Sequence, residues 1–310
     1  MKDEFTFIER LKKKIPPAKN AVLGIGDDAA VLRFSGPGRL VVSTDMIVEK
    51  VDFVLNRSEP EQIGRKALAV NLSDLAAMGA KPLAFVISIG KPAYVDARWL
   101  DRFYDGLLRL ARRYKVDCVG GDFSAAKEFS ASVTIFGTAR KPILRSGAKA
   151  GDWIAVTGRL GGSILRHHFD FTPRVREGLA LARSGLVHSM IDISDGLCQD
   201  LHHILNASCV AAELDPRRIP VSSDAIHLGR KNSLAALERA LTDGEDFELL
   251  FTVPGPAKSV LERRWKKECR GVSLNWIGRI VKGKPGIRWI SNDKRVRMRR
   301  GLSRKGFRHF

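Results

Sequence analysis

Residues 66–80 have the sequence Lys66-Ala-Leu-Ala-Val-Asn-Leu-Ser-Asp-Leu-Ala-Ala-Met-Gly-Ala80, and this run is the most specific part of the 310-residue chain. Apolar side chains recur at helical spacing over residues 61–79, and the pattern stops at Gly79. Asp74 is a carboxylate inside this pattern, on a helix whose other face is apolar. The run therefore predicts a packed helix that presents an acid on one side.

Segments on both sides of this helix alternate between strand and helix patterns. Short apolar runs typical of strands occupy residues 40–43, 83–89, 116–119, 132–139 and 248–253. One-sided apolar stripes or helical stretches occupy residues 100–114, 195–205 and 233–241. A break falls near Lys141-Pro142. The order of elements predicts an α/β (α+β) protein of two domains, residues 1–140 and 141–310.

Aspartates recur beside glycines or at the ends of predicted strands. They lie in the segments Gly24-Ile-Gly-Asp-Asp28, Ser43-Thr-Asp45, Asn71-Leu-Ser-Asp74, Gly120-Gly-Asp122 and Asp192-Ile-Ser-Asp-Gly196. Glycine lets the backbone approach a ligand closely, and carboxylate oxygens are the ligands that magnesium prefers. Each segment alone is more often a turn with a capping acid. Five such segments in one chain favour a site where cations neutralise clustered carboxylates. The alternative is that each aspartate separately caps its own turn or helix.

A nucleotide would have to be held without the common phosphate-binding motifs. The sequence has no G-x-x-x-x-G-K-[ST] loop and no protein-kinase HRD or DFG set. Arg145 is a candidate phosphate ligand, because guanidinium matches phosphate oxygens in fork geometry. Gly161-Gly-Ser163 could also meet an anion at a helix start, although a plain turn is as good an interpretation.

Composition restricts the class of protein. With 44% hydrophobic and 28% charged residues the chain is typical of a folded globular protein, and its apolar runs are too short for a bilayer. The first residues lack a secretory pattern, so we expect a cytoplasmic protein. The four cysteines are scattered and predict no zinc site.

The net charge of +19 is concentrated near the C-terminus. Residues 258–310 contain 18 Lys and Arg and three acids. Such a segment could bind nucleic acid or another polyanion. It lacks the aromatic interleaving of a single-strand binding surface, so a solvated basic face is the preferred interpretation and nucleic-acid binding is not expected.

The motifs together resemble the thiamine-monophosphate kinase family, from about residue 5 to residue 310. The segments that carry the resemblance, in order, are Gly24-Ile-Gly-Asp-Asp-Ala-Ala-Val31, Ser43-Thr-Asp45, residues 66–80, Gly120-Gly-Asp122, Arg145-Ser-Gly-Ala-Lys-Ala-Gly-Asp152, Ile191-Asp-Ile-Ser-Asp-Gly196 and Gly244-Glu-Asp-Phe-Glu-Leu249. The resemblance implies the two-domain fold of aminoimidazole ribonucleotide synthetase, with N-terminal sheets pairing across a homodimer. It also implies transfer of the ATP γ-phosphoryl group to thiamine monophosphate with several Mg²⁺ ions, the N-terminal domain binding ATP and magnesium.

The resemblance also assigns roles to single positions. The magnesium ligands that it implies are Asp27, Ser43, Thr44, Asp45, Asp74, Asp122, Asp192 and Asp195. The ATP contacts that it implies are Tyr104, Gly121, Asp122, Arg145 and Ser194. The substrate contacts that it implies are Asp52, Glu245 and Phe307. No general base is assigned, because the attacking phosphate oxygen is already anionic.

Three departures from the family pattern concern the substrate more than the nucleotide. Asp52-Phe53 stands where the family usually has His-Phe, and Phe123 follows Gly120-Gly-Asp122 where a threonine is usual. The stretch of residues 160–174 is shorter than is usual in the family, and a helix common in the family is missing from its pattern. The alternatives are another enzyme of the same superfamily, aminoimidazole ribonucleotide synthetase above all, or a polyanion- or RNA-binding protein.

Overall fold

The computed structural model describes residues 21–23, 27–33, 35–36, 38–230 and 232–290. The described chain forms two six-stranded sheets with helices packed between and beside them. Among these described residues, no helix has the length and apolar content needed to cross a membrane.

The first sheet has the strand order β1-β2-β3-β6-β4-β5. Its strands are β1 (Ala21–Leu23), β2 (Ala30–Leu32), β3 (Arg39–Val48), β4 (Lys81–Lys91), β5 (Asp117–Ala125) and β6 (Ser130–Ala139). Strands β4 and β5 run parallel, and the other neighbouring pairs run antiparallel. Strand β5 forms one edge of this sheet, and β1 forms the other.

Two long helices, α1 (Pro60–Ala77) and α2 (Ala97–Tyr114), cover the inner face of the first sheet. Helix α1 begins with a proline in its first turn and a capping box between Glu59 and Gln62. The two helices approach closely at glycines: a Cβ on Gly64 would lie 1.9 Å from the carbonyl oxygen of Phe103. Glycine is thus required at this crossing, because any side chain would separate the helices.

The second sheet has the strand order β12-β9-β11-β7-β10-β8. Its strands are β7 (Trp153–Thr157), β8 (Ser189–Asp192), β9 (Ala211–Leu214), β10 (Leu249–Val253), β11 (Leu274–Val281) and β12 (Ile287–Trp289). The helices of this half are α3 (His167–Asp170), α4 (Val175–Ser184), α5 (Leu197–Ser208), α6 (Ser223–Leu228), α7 (Ser233–Thr242) and α8 (Lys258–Glu268). Single 3₁₀ turns lie at Leu55–Arg57, Ser163–Leu165, Pro216–Arg218 and Gly255–Ala257.

Helix α1 is the element that joins the two halves. It packs on the first sheet by one side and contacts α3, α4 and β8 of the second half by another. The contact with α4 is close, because a Cβ on Gly178 would lie 2.1 Å from the carbonyl oxygen of Ala76. The larger apolar core is continuous from the first sheet through Phe171 and Phe247 to β10. The polar residues of α1 therefore lie where the two halves meet.

Two local predictions are wrong. Ser43, Thr44 and Asp45 do not end a strand, since β3 continues to Val48. The segment Gly120-Gly-Asp122 is not a turn after a strand, since it lies inside β5. Here glycine serves close strand packing: a Cβ on Gly121 would lie 2.1 Å from the carbonyl oxygen of Ile87.

Candidate active site

Three aspartates from distant parts of the sequence meet at the C-terminal half of α1. Carboxylate oxygens of Asp28, Asp74 and Asp192 all lie within 4.8 Å of one another. Asp28 precedes β2, Asp74 belongs to α1, and Asp192 is the last residue of β8. We call these residues the triple-aspartate cluster. Three carboxylates at this spacing can hold a divalent cation.

Serine hydroxyl groups hold two of the three carboxylates, those of Asp74 and Asp192, in place. Ser43 donates a hydrogen bond from its hydroxyl to Oδ2 of Asp74. The Ser73 hydroxyl donates to Oδ2 of Asp192 at 2.5 Å. Asp45 lies two residues beyond Ser43 on the same strand face, and its backbone N–H donates to Oδ1 of Asn71 at 3.0 Å. Strand β3 thus contributes Ser43 and Asp45 to the site through its inner face.

Arg145 supplies positive charge at the rim of the cluster. Its Nη2 donates to Oδ1 of Asp28 at 2.7 Å, and its backbone N–H donates to Oδ2 of Asp27 at 3.0 Å. The second oxygen of Asp28, Oδ2, is buried and has no hydrogen-bond partner among the described residues. A buried hydrogen-bond acceptor without a partner is costly in free energy. The oxygen atoms of this site therefore fit a bound cation.

The electrostatics of the site raise the pKa of three of its carboxyl groups, those of Asp27, Asp74 and Asp192. Burial first, and the charge of Asp28 next, raise the pKa of Asp27 from 3.8 to about 6. The same two causes raise the pKa of Asp192 to about 8. Burial and the neighbouring charges of Asp45, Asp192 and Asp28 raise the pKa of Asp74 well above its usual range. Like charges held this close in a buried place need a counter-charge.

A second group of possible metal ligands lies at the start of α5. Oxygen or nitrogen atoms of Asp195, Asp200 and His203 lie within 4.8 Å of one another. Oδ2 of Asp200 accepts hydrogen bonds from the backbone N–H groups of Asp195 and Gly196, both at 3.1 Å. Burial, then the charges of Asp195 and Asp192, raise the pKa of Asp200 well above its usual range. The two acidic groups are therefore electrostatic neighbours.

A buried lysine lies at the other end of α1. Lys66 forms an ion pair with Glu245, whose Oε1 lies 2.5 Å from Nζ. The Lys66 Nζ also donates to the carbonyl oxygen of Asp52 at 3.0 Å and lies 3.3 Å from Nδ1 of His168. The Asp52 carboxylate accepts a hydrogen bond from the backbone N–H of Val48 at 2.7 Å. The predicted substrate residues Asp52 and Glu245 are thus joined through Lys66.

The remaining candidates lie in different surroundings. Thr44 turns to the opposite face of β3 from Ser43, and its hydroxyl donates to the carbonyl oxygen of Val133 at 3.0 Å. Asp122 is exposed on β5 and lies in register with Ser88 on β4. Because β5 is three strands from β3, the two strands are about 14 Å apart, and this chain does not bring Asp122 to the triple-aspartate cluster.

Three further candidates complete the set. The Tyr104 ring centroid lies 6.3 Å from that of Phe123, between α2 and β5. The carbonyl oxygen of Ser194 accepts a hydrogen bond from the backbone N–H of Glu245 at 2.7 Å, which ties together the two loops that flank the site. Phe307 lies outside the described residues.

Comparisons with known proteins cover nearly the whole chain. A model of the AIR synthase related protein N-terminal domain matches residues 26–139, and a model of its C-terminal domain matches residues 136–290. The thiamine-monophosphate kinase of Rhodopirellula baltica is 38% identical over 293 residues, which is 92% of this chain and 91% of the relative. The chain belongs to the thiamine-monophosphate kinase family.

Other family members agree with this assignment. The thiamine-monophosphate kinase of Escherichia coli (strain K12) is 36% identical over 332 residues, which is 99% of this chain and 98% of the relative. The solved structure of AaThiL complexed with AMPPCP and TMP has a TM-score of 0.83 and 30% identity, covering 99% of this chain and 97% of that chain. The predicted family and the mixed α/β fold of two domains are therefore confirmed, and the alternative functions are not favoured.

Sequence reasoning did not single out some residues that the structure of this thiamine-monophosphate kinase family member places at the site. Asp28 follows Asp27 directly in the quoted motif, and the sequence of two adjacent aspartates does not show which side chain points into the cluster. The structure shows that it is Asp28. Asp200 has no glycine-rich context. Lys66 carried a usable signal, because it lies three residues after Ile63 and four before Val70, both buried on α1. A lysine at an apolar position of a packed helix indicates a buried partner.

Proposed function

We propose that this chain transfers the γ-phosphoryl group of ATP to thiamine monophosphate, giving thiamine diphosphate and ADP. The observation that carries the proposal is the triple-aspartate cluster at the junction of β8, α1 and the turn before β2. Family membership supports the reaction, and a relative complexed with AMPPCP, an ATP analogue, supports ATP as co-substrate. Because this reaction consumes ATP, we propose the cytoplasm as the place where it occurs.

Magnesium is the cofactor that we propose for this site. The donor set fits it, since hard carboxylate oxygens predominate and one of them, Oδ2 of Asp28, has no hydrogen-bond partner among the described residues. The ligands that we propose at or beside the cluster are Asp27, Asp28, Ser43, Asp45, Asp74, Asp192 and Asp195. Thr44, on the opposite face of β3, and Asp122, on β5, stay predicted ligands from the family resemblance alone. Bound Mg²⁺ would supply charge neutralisation at the phosphate oxygens.

The side chains around the cluster would align and bind the reactants. Arg145 would bind phosphate oxygens beside the cluster, and Ser194 is a further proposed nucleotide contact. Gly121, Asp122 and Tyr104 are also proposed nucleotide contacts, although they lie on β5 and α2. Phosphoryl transfer depends on alignment and charge stabilisation, and the attacking oxygen of thiamine monophosphate is already anionic. We therefore assign no general base.

The acceptor would bind between the triple-aspartate cluster and Glu245. Lys66 and Asp74 are eight residues apart on α1, so their backbones are separated by roughly 12 Å. This separation suits an elongated acceptor with its phosphate at the carboxylate end and its ring system at Glu245. Asp52 and Phe307 are the other proposed acceptor contacts.

Homodimerisation through the first sheet is part of the proposal. All nine residues of β5 are exposed, and they include Val119 at 63% and Phe123 at 54% exposure. An edge strand with exposed apolar side chains favours association with another chain. A second copy on β5 would cover the strand that carries Gly121 and Asp122.

The test is an assay for thiamine diphosphate and ADP with ATP, Mg²⁺ and thiamine monophosphate. The matched variants are Asp74→Asn at the cluster and Asp101→Asn on the exposed side of α2. We expect Asp74→Asn to lower kcat by about 100-fold or more, because a carboxylate that would hold the phosphate-neutralising Mg²⁺ is lost, while Asp101→Asn stays near wild type. Folded wild-type protein that forms no thiamine diphosphate would refute the proposed function.

A further inference from the structure

The ammonium group of Lys66 is buried, and each of its N–H donors has an acceptor within the protein. Its side chain is only 1% exposed. An ammonium group has three N–H donors, and Lys66 has three acceptors within reach: Oε1 of Glu245, the carbonyl oxygen of Asp52 and Nδ1 of His168. Lysine cannot accept a hydrogen bond, so Nδ1 of His168 must be the acceptor. No donor of Lys66 is left to bind a substrate directly.

The His168 ring is suited to this acceptor role. Burial first, and the charge of Lys66 next, lower the pKa of His168 from 6.5 to about 4. The neutral ring keeps a lone pair on Nδ1 for the ammonium group. His168 also packs against Phe169 with ring centroids 4.1 Å apart, and the Lys66 Nζ lies 5.5 Å from the centroid of Phe169. The cation is therefore enclosed by groups that stabilise it.

Neighbouring Arg65 holds the segment that carries His168. Its guanidinium donates hydrogen bonds to the carbonyl oxygens of Phe169, Asp170 and Phe171. The bond to Asp170 is 3.2 Å long. Two adjacent basic residues of α1 thus fasten the short helix α3 from the other half of the molecule. This arrangement fixes the position of the His168 ring relative to Lys66.

Glu245 contacts the buried Lys66 through a carboxylate that is itself only partly buried. Its side chain is 33% exposed, and its backbone has a left-handed conformation with φ of +63°. Oε1 lies against Lys66, whereas Oε2 is 3.7 Å from Nδ1 of His168. Holding one oxygen sets the direction of the other.

We propose that Lys66 is a positioning residue for the acceptor, acting through Glu245 and contacting no substrate itself. It orients the Glu245 carboxylate toward an N–H-bearing or cationic ring of the acceptor, while the acceptor's phosphate lies at the carboxylate end of α1. This inference rests on the proposed function. It adds Lys66 as a residue that positions the acceptor's ring, whereas the carboxylates at the other end of α1 are near its phosphate.

The test measures KM for thiamine monophosphate and KM for ATP separately in a double-mutant cycle. We expect Lys66→Met to raise KM for thiamine monophosphate by about tenfold or more, because Glu245 loses the donor that orients it, and to change KM for ATP by less than about twofold. In a Glu245→Gln background, Lys66→Met should add less than about twofold, because both changes remove the same interaction. Lys50→Met is the matched control, since Lys50 forms an exposed ion pair with Glu128.

Two outcomes would overturn the inference. An unchanged KM for thiamine monophosphate in Lys66→Met would show a purely structural lysine, and additive effects in the cycle would show a direct substrate contact. If Lys66→Met does not fold, His168→Leu replaces it, with the same non-additivity expected and the same two results excluding the proposal. Wild-type protein that forms no thiamine diphosphate would instead defeat the proposed function on which the inference rests.

Discussion

Buried carboxylates dominate the chemistry of single residues in this protein. Asp74 and Asp192 accept hydrogen bonds from Ser43 and Ser73, yet the pKa values of both carboxyls are raised because burial and neighbouring charges outweigh these bonds. The same residues that would bind a cation therefore destabilise the cation-free protein when they ionise. Function and stability oppose each other at these positions.

A pH dependence of stability follows from Asp192. Its pKa is about 8 in the folded chain against 3.8 ordinarily, so between these values the folded state binds a proton that the unfolded state has released. Stability of the metal-free protein should therefore fall as pH rises through this window, and Asp192→Asn should make the fall shallower. Urea unfolding in chelator at about pH 5 and about pH 8 measures both slopes. Exposed Asp101→Asn should keep the wild-type slope, and an equal slope in Asp192→Asn would contradict the raised pKa.

Motif residues could be predicted singly from the sequence, but their partners could not. Asp27, Asp74, Asp192 and Glu245 stand in recognisable motifs. Lys66 and Asp28 gain their meaning only from atoms that are distant in the sequence. Whether a charged side chain turns inward depends on the partner that compensates its lost hydration, and the local pattern does not contain that partner.

At the scale of elements, strand β5 shows how an ambiguous signal was resolved. A glycine pair followed by aspartate predicted a turn, because glycine commonly ends a strand. The structure places both glycines inside β5, where Gly121 is packed tightly against the backbone of β4. Close packing between strands and a tight turn both select glycine, so only the neighbouring strand distinguishes them.

Adjacent glycines of β5 provide a controlled test of this packing. A Cβ on Gly121 would lie 2.1 Å from the carbonyl oxygen of Ile87, whereas a Cβ on Gly120 meets only the Val86 side chain at 3.9 Å. Gly121→Ala should lower the free energy of unfolding by about 1–3 kcal/mol, because β4 and β5 must separate. Gly120→Ala should leave it within about 0.5 kcal/mol. Denaturant unfolding compares the two, and equal losses would disprove the strand arrangement around Gly121.

Helix α1 is the element on which most of the site depends. Its apolar face and its stop near Gly79 were predicted, and the helix ends at Ala77. Its polar residues contact both halves: Ser73 donates to Asp192, and Lys66 pairs with Glu245. Because Lys66 and Ser73 are buried, each of these polar groups needs a partner within the protein.

At the scale of the whole molecule, the exposed edge of β5 is the surface where we propose that a second copy of the chain binds. The division at about residue 140 and pairing of N-terminal sheets stay predictions. If two copies meet at β5, Val119→Asp should convert a dimer to a monomer, because it places a charge in the interface. Sedimentation equilibrium measures the mass, with Ile226→Asp on the exposed side of α6 as control. A dimer that persists in Val119→Asp would place the interface elsewhere.

The sequence by itself determined the family, several of the strands and helices, and the motifs that contain most of the candidate acids. These are local properties: periodicity, motif order and the spacing of polar residues in the chain. The tertiary structure decided which aspartates share one cluster, that Asp122 lies on β5, three strands from β3, and that Lys66 is buried against Glu245. Those facts depend on contacts between residues far apart in the sequence, whose free energy is set by burial and the pairing of charges in three dimensions.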